Sequence, residues 1–146
     1  GSSGCTVKSC SEAILNIGNP AIWWAFIPAI IVALLVLVLK RDWRFGALLV
    51  VFGAGYFPWF MYPTRTMFYF YALSFEPFLI LLLAGVLGLA LSGARGSVLR
   101  ARLGVTLVAI YLVGVLMLSA YFMPLWTAQV IPYEQWYSHM WFKSWI

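Results

Sequence analysis

Two charged side chains stand out in an otherwise apolar stretch of this sequence. Glu76 is the one acidic residue set inside a long apolar run, and Arg65 lies just ahead of that run in a short turn. A guanidinium at such a place can hold a phosphate through two parallel hydrogen bonds and stays charged at any working pH. The other reading of Arg65 is a single interfacial arginine that anchors its helix by snorkelling. A carboxylate at membrane depth costs several kcal/mol unless it is paired, hydrated or protonated. Glu76 therefore reads either as a polar group lining a ligand site or as a protonated group bonded to a neighbour, aided by the Leu73 carbonyl that Pro77 leaves without a donor. Around Arg65 gather Tyr56, Phe57, Trp59, Phe60, Tyr62, Phe68, Tyr69, Phe70 and Tyr71. Most of these rings suit an aromatic belt; a few could line a groove for an isoprenoid tail or stack on a sugar ring.

Few other side chains offer chemistry. His139 is the sole histidine, and without a second one or a nearby acidic pair the sequence predicts no metal site. No phosphate loop, nucleophile elbow or zinc spacing is present, and no paired carboxylates offer glycosyl chemistry. Cys5 and Cys10 occur in the segment Cys-Thr-Val-Lys-Ser-Cys. On the outer side of a membrane they would meet oxidising conditions and close a small disulfide loop; the alternative is two free thiols in a mobile tail.

The elements that must position these residues are membrane helices. The chain has 146 residues, of which 64% are hydrophobic and only 9% charged, too few charges to cover the surface of a soluble domain. Four apolar stretches, Ala21–Leu39, Phe45–Tyr62, Met67–Leu91 and Val105–Met123, are each near the ~20 residues that cross ~30 Å of hydrocarbon. Six of the nine basic residues fall in two loops: Lys40, Arg41 and Arg44 after the first stretch, and Arg95, Arg100 and Arg102 after the third. The positive-inside rule puts both loops in the cytoplasm, which leaves both termini and the Pro63–Thr66 turn extracytoplasmic. The net charge of +5 is thus a topology signal, and no basic stripe for nucleic acid is present.

The expected fold is an all-α membrane protein of four transmembrane helices with a C-terminal amphipathic interfacial helix. Residues 1–19 form an extracytoplasmic segment, and residues 20–146 form the four-span region with an interfacial tail over 124–146. Pro20 is suited to start the first helix. If the third helix begins near Arg65, then Arg65, Tyr69, Ala72 and Glu76 share one face, with the two charges displaced by roughly 16 Å along it. In the tail, Tyr133, Trp136, Tyr137, Met140, Trp141 and Trp145 repeat at helical spacing, which predicts a helix lying in the outer interface. Gly1-Ser2-Ser3-Gly4 reads as a cloning remnant or a native linker, and the lack of a start methionine and of a leader peptide suggests a sequence that begins inside a longer protein.

Three groups of residues, in order, carry a family resemblance. Asn16-Ile17-Gly18-Asn19-Pro20 with Trp23-Trp24 resembles the opening of the C-terminal four-span region of protein O-mannosyltransferases. Gly55-Tyr56-Phe57-Pro58-Trp59, Arg65-Thr66-Met67-Phe68-Tyr69-Phe70-Tyr71 and Pro77-Phe78 resemble its central pattern, and Ile131-Pro132-Tyr133, Trp136, Trp141 and Ser144-Trp145-Ile146 its ending. The actinobacterial branch, which also has an outer cysteine pair, is the most similar. The resemblance implies part of a GT-C-type inverting glycosyltransferase in the plasma membrane that needs no cofactor. Such an enzyme moves mannose from polyprenyl-phosphate-mannose to Ser or Thr of an acceptor protein. It implies a donor-phosphate role for Arg65, with Tyr69 and Tyr71 near the phosphate or sugar; Glu76, where it is read as lining a ligand site, would be a polar group there. The family's catalytic acidic residue belongs to a first outer loop upstream of this chain, so Glu76 does not inherit that role, and the N-terminal remainder of the enzyme is an implied partner. Two other readings use the same residues: a stand-alone four-span carrier or flippase for a lipid-linked sugar, and a non-catalytic membrane subunit.

Overall fold

A computed structural model describes residues 9–11, 14–62, 64, 66, 68–92 and 97–145. Helix α1, Pro20–Lys40, starts where Asn19 accepts the Ala21 N–H through Oδ1 at 2.9 Å and Pro20 fills the first helical position. Those two features satisfy one orphan donor and remove another. Only Arg41 and Asp42 join α1 to α2, Trp43–Tyr56. So short a reversal requires a left-handed residue, which is Arg41 at φ 53°, and Asp42 then caps α2 by accepting the Arg44 N–H at 3.1 Å. Beyond Tyr56 the helix tightens into a 3-10 segment, Phe57–Met61, around Pro58.

The third apolar stretch differs from the sequence expectation. A 3-10 helix covers Tyr69–Ser74, and the α-helix proper, α3, runs only over Glu76–Ser92. Pro77 explains the boundary: its ring would clash with the Leu73 carbonyl if the α-helix continued upstream. Tyr69 and Ala72 therefore do not share an α-helical face with Glu76, and Arg65 lies outside the described residues. The fourth helix is longer than expected at both ends. Ser97 caps it by accepting the Arg100 N–H at 3.3 Å, and α4 runs over Val98–Trp126, through Pro124. Arg100 and Arg102 thus belong to its first turns rather than to a loop. By length and hydropathy α1, α4 and the stretch Trp43–Met61 can each cross a membrane, while α3, at 17 residues, is an apolar helix short of that length. The described residues accordingly hold three full-length candidate spans and a shorter fourth.

The helices run alternately up and down. Asn19 at the start of α1 reaches the late part of α4, and a Cβ on Gly85 of α3 would lie 3.2 Å from the Phe45 ring near the start of α2. Phe26, Ala29, Ala33 and Val36 of α1 form one buried face that joins Phe45, Phe75, Leu79, Leu82 and Leu83 in a common core. Small residues such as Ala29 and Ala33 let membrane helices approach, and close packing is what holds them where lipid is as apolar as leucine. Outward-facing residues of α4, including Leu107, Ile110, Val113 and Leu116, are exposed, as suits contact with lipid.

A second core forms where α4 ends. Phe122, Leu125, Ile131 and Met140 are buried, with Leu15, Ile17, Trp126, Trp136 and Trp145 packed around them. Here the tail departs from the expected continuous helix. Ile131–Pro132 (β2) pairs antiparallel with Cys10–Ser11 (β1), helix α5 covers only Tyr133–Ser138, and a 3-10 turn covers Lys143–Trp145. Burial of Ile131 and Met140 folds the segment back on α4 instead of laying it flat. His139 fixes the break. It is 2% exposed, stacks on Tyr121 at 4.2 Å, and sets Nδ1 2.6 Å from the Gln135 carbonyl and Nε2 2.8 Å from the Tyr121 carbonyl. A neutral ring donates only one of these bonds and a protonated ring donates both. The Tyr121 hydroxyl in turn donates to the Ser138 carbonyl at 2.9 Å, closing the end of α5.

Candidate functional site

At the end of the bundle where α1 begins and α2 finishes, a groove of about 570 Å³ opens between α1, the 3-10 segments and the start of α3. Helix α1 supplies Trp23, Phe26, Ile27 and Ile30, one face at i, i+3, i+4, i+7 spacing. Opposite stand Phe52 and Tyr56 of α2, Trp59 of the first 3-10 segment, Phe68, Tyr71 and Ala72 of the second, and Phe75 and Leu79. Each wall has a local cause. Trp59 donates its indole N–H to the Gly55 carbonyl at 3.1 Å, tying the 3-10 segment back on α2. Gly55 carries no side chain where Phe75 comes in; a Cβ there would lie 3.0 Å from the Phe75 Cβ. That approach brings Phe52, Tyr56 and Phe75 together, with centroids 5.3–5.7 Å apart, and Tyr71 meets Trp59 at 4.5 Å. Such ring pairs add to burial through edge and offset contacts.

The groove is mostly ring and aliphatic surface, with few polar groups. The hydroxyls of Tyr56 and Tyr71 hydrogen-bond to no described residue. An apolar cleft with a small number of polar groups is the usual form of a site for an organic ligand, and here it lies at one end of a membrane bundle.

The sequence-predicted residues fare differently. Tyr71 lines the groove. Tyr69 opens the second 3-10 helix. Glu76 begins α3, is half-buried, and is not part of the lining; its carboxylate hydrogen-bonds to no described residue. Arg65 lies outside the described residues; Thr64 and Thr66 beside it are exposed, and Phe68, three residues on, lines the groove. Cys10 is disulfide-bonded, and Cys5, the other cysteine of the chain, lies outside the described residues. Among the described residues no three of His, Cys, Asp and Glu gather as a metal site would require.

Two contributions are not legible locally. The α1 wall repeats at helical spacing within the first apolar stretch, but nothing near it states which segment it faces. Asn19, just ahead of Pro20, donates through Nδ2 to the Val115 carbonyl at 3.0 Å and the Ser119 hydroxyl at 2.8 Å, partners about a hundred residues away. With Tyr111 donating to the Ala21 carbonyl at 3.3 Å, it fixes the start of α1, and so Trp23, against α4.

The fold defines a multi-pass helical membrane region with an aromatic groove at one end of the bundle. Over nearly its whole length the chain is homologous to the C-terminal part of polyprenol-phosphate-mannose–protein mannosyltransferases. It is 37% identical over 142 residues to the enzyme of that name from Mycolicibacterium smegmatis (strain ATCC 700084 / mc(2)155), 97% of this chain and 28% of the relative. It is 34% identical over 143 residues to that of Mycobacterium tuberculosis (strain ATCC 25618 / H37Rv), 98% and 27%, and 35% identical over 137 residues to that of Corynebacterium glutamicum, 94% and 26%. The chain spans little more than a quarter of the length of these relatives. No family model matches it, and no solved structure does.

Proposed function

We propose that this chain is the C-terminal membrane region of a GT-C-type enzyme that transfers mannose from polyprenyl-phosphate-mannose to Ser or Thr of an acceptor protein, and that the aromatic groove receives the lipid-linked donor. The observation that carries the reading is the groove itself, an isoprenoid-compatible cleft whose lining reaches Phe68, three residues from Arg65. In this reading the first isoprene units lie among Phe26, Ile30, Phe52 and Phe75. The Arg65 guanidinium meets the phosphate at the mouth, and Tyr71, with Tyr69, faces the phosphate or the sugar. As the sugar leaves, negative charge grows on the phosphate, and a fixed guanidinium stabilises it. Glu76 stands outside the lining, next in sequence to Phe75, and enters this reading only as a neighbouring polar group. The catalytic acid and the acceptor site come from the upstream part of the enzyme. Lys40, Arg41, Arg44, Arg100 and Arg102 gather at the opposite end of the bundle, so the positive-inside rule sets the groove and both termini on the outer face of the plasma membrane. A Cys5–Cys10 disulfide there belongs to the same reading.

The test uses the full-length enzyme. Arg65→Ala should lower transfer about a hundredfold, the scale of losing one charge-stabilising donor, and Arg65→Lys should recover part of it. Photolabelling by a polyprenyl-phosphate analogue should fall in parallel. Wild-type turnover and labelling in Arg65→Ala would remove the arginine from the site. Labelling that leaves Tyr71, Phe75 and Phe26 untouched would remove the groove.

A further inference from the structure

The basic end of the bundle holds a second cleft, of about 270 Å³, between the start of α2 and the C-terminal half of α3. Its walls are Phe45 and Leu48 on one side and Leu89 on the other, with Gly85 and Gly88 between them and Asp42 and Arg44 at its edge. The two glycines differ. The space at Gly85 is closed by the Phe45 ring, 3.2 Å from where a Cβ would stand, whereas a Cβ on Gly88 would meet nothing within 4 Å. The cleft is therefore apolar along Gly88 and charged at one edge.

The charge there is unbalanced. Asp42 turns its carboxylate to the Arg44 backbone N–H as the cap of α2, and the Arg44 guanidinium pairs with no described residue. Lys40, Arg41, Arg44, Arg100 and Arg102 are all exposed at this end, against the single carboxylate of Asp42 among the described residues. A cationic edge joined to an apolar slot between membrane helices matches one class of molecule, a lipid with an anionic headgroup and a hydrocarbon chain. A zwitterionic lipid would bring its own ammonium against these cations.

We propose that this cleft binds an anionic glycerophospholipid. Its phosphate rests on Arg44 and one acyl chain lies along Gly88, between Leu48 and Leu89. The site does not depend on the donor groove, which is at the other end of the bundle.

Native mass spectrometry of the full-length protein in mild detergent, titrated with phosphatidylglycerol or with phosphatidylcholine of the same chains, tests the proposal. Phosphatidylglycerol should be retained in preference to phosphatidylcholine. Arg44→Gln, an exposed change, should weaken that retention about fivefold, the effect of one basic residue at an anionic surface. Gly88→Leu, whose side chain has room in the cleft, should displace the lipid. Equal retention of the two lipids would overturn the proposal, as would wild-type retention of phosphatidylglycerol in both variants. Photolabelling by the polyprenyl-phosphate analogue is read separately and reports only on the donor groove.

Discussion

The two cores of this molecule are held by different forces. The core of α1, α2 and α3 is made of Phe26, Ala29, Ala33, Leu79 and Leu82 packed on one another, and the side-chain hydrogen bonds of Trp59, Ser74 and Ser92 there are local to their own segments. The core at the end of α4 is laced by bonds between distant segments. Trp126 donates to the Ile17 carbonyl at 2.6 Å, Asn19 joins α1 to α4, Tyr121 and His139 tie α4 to the tail, and the Leu15 N–H reaches the Leu125 carbonyl at 3.4 Å. The contrast follows from the solvent. Inside hydrocarbon, regular helices satisfy their own backbone, so packing is enough. At the interface the chain is irregular, and its loose carbonyls must find donors. The aromatic groove lies on the side held mainly by packing, where rings can adjust to a flexible ligand, and its α1 wall is anchored to α4 by Asn19 and by the Tyr111 bond to the Ala21 carbonyl.

That contrast can be broken or sharpened by mutation. The largest effect should come from Phe122→Ala, which removes a fully buried ring. A loss of about 3–5 kcal/mol is expected, read as reversible unfolding in bicelles. Leu82→Ala, equally buried in the first core, should cost less, about 2 kcal/mol, because a leucine leaving its neighbours for lipid loses packing but gains no water. Equal costs would erase the distinction between the two cores.

Next in size is Asn19→Ala. It removes the α1 cap and the two bonds to α4, for about 2 kcal/mol in total. Asn19→Asp keeps the cap oxygen and loses the donation, so it should fall between. If Asn19→Ala is as stable as the wild type, the anchoring of the α1 wall is wrong. The smallest effect on stability should be that of Gly55→Ala. The new Cβ must move Phe75 by a few tenths of an ångström, at about 1 kcal/mol. It should narrow the groove, raising KM for the lipid-linked donor in the full-length enzyme with little change in kcat. An unchanged KM would separate the groove from donor binding.

The pattern of apolar length was enough to locate α1, α2 and α4, because crossing hydrocarbon imposes a length that the sequence must carry. It misjudged the third helix and the tail for a shared reason. Hydropathy and spacing count which residues are apolar but not which backbone their neighbours permit. Pro77 holds α3 to Glu76 and leaves Tyr69–Ser74 as a 3-10 turn. In the tail, Trp136, Met140 and Trp145 repeat at helical spacing, yet pairing of Ile131 with Ser11 and burial of His139 decide the path. For the site, the ring-rich segment from Tyr56 to Tyr71 was legible as one neighbourhood. The α1 wall was not, since nothing local to Trp23 or Phe26 states which segment they face.

By itself, then, the order of residues determined that this chain lives in a membrane, where its charges collect, and which aromatic segment stands beside Arg65. Those properties depend on composition and on distance along one chain. Only the tertiary structure decided that Trp23, Phe26 and Ile30 close a groove with Phe52, Tyr71 and Phe75, and that Glu76 is left out of its lining. Contacts between segments far apart in the sequence depend on how closely helices can approach. Here that closeness is set by Gly55, Ala29 and Ala33, small residues that carry no signal until their neighbours are in place.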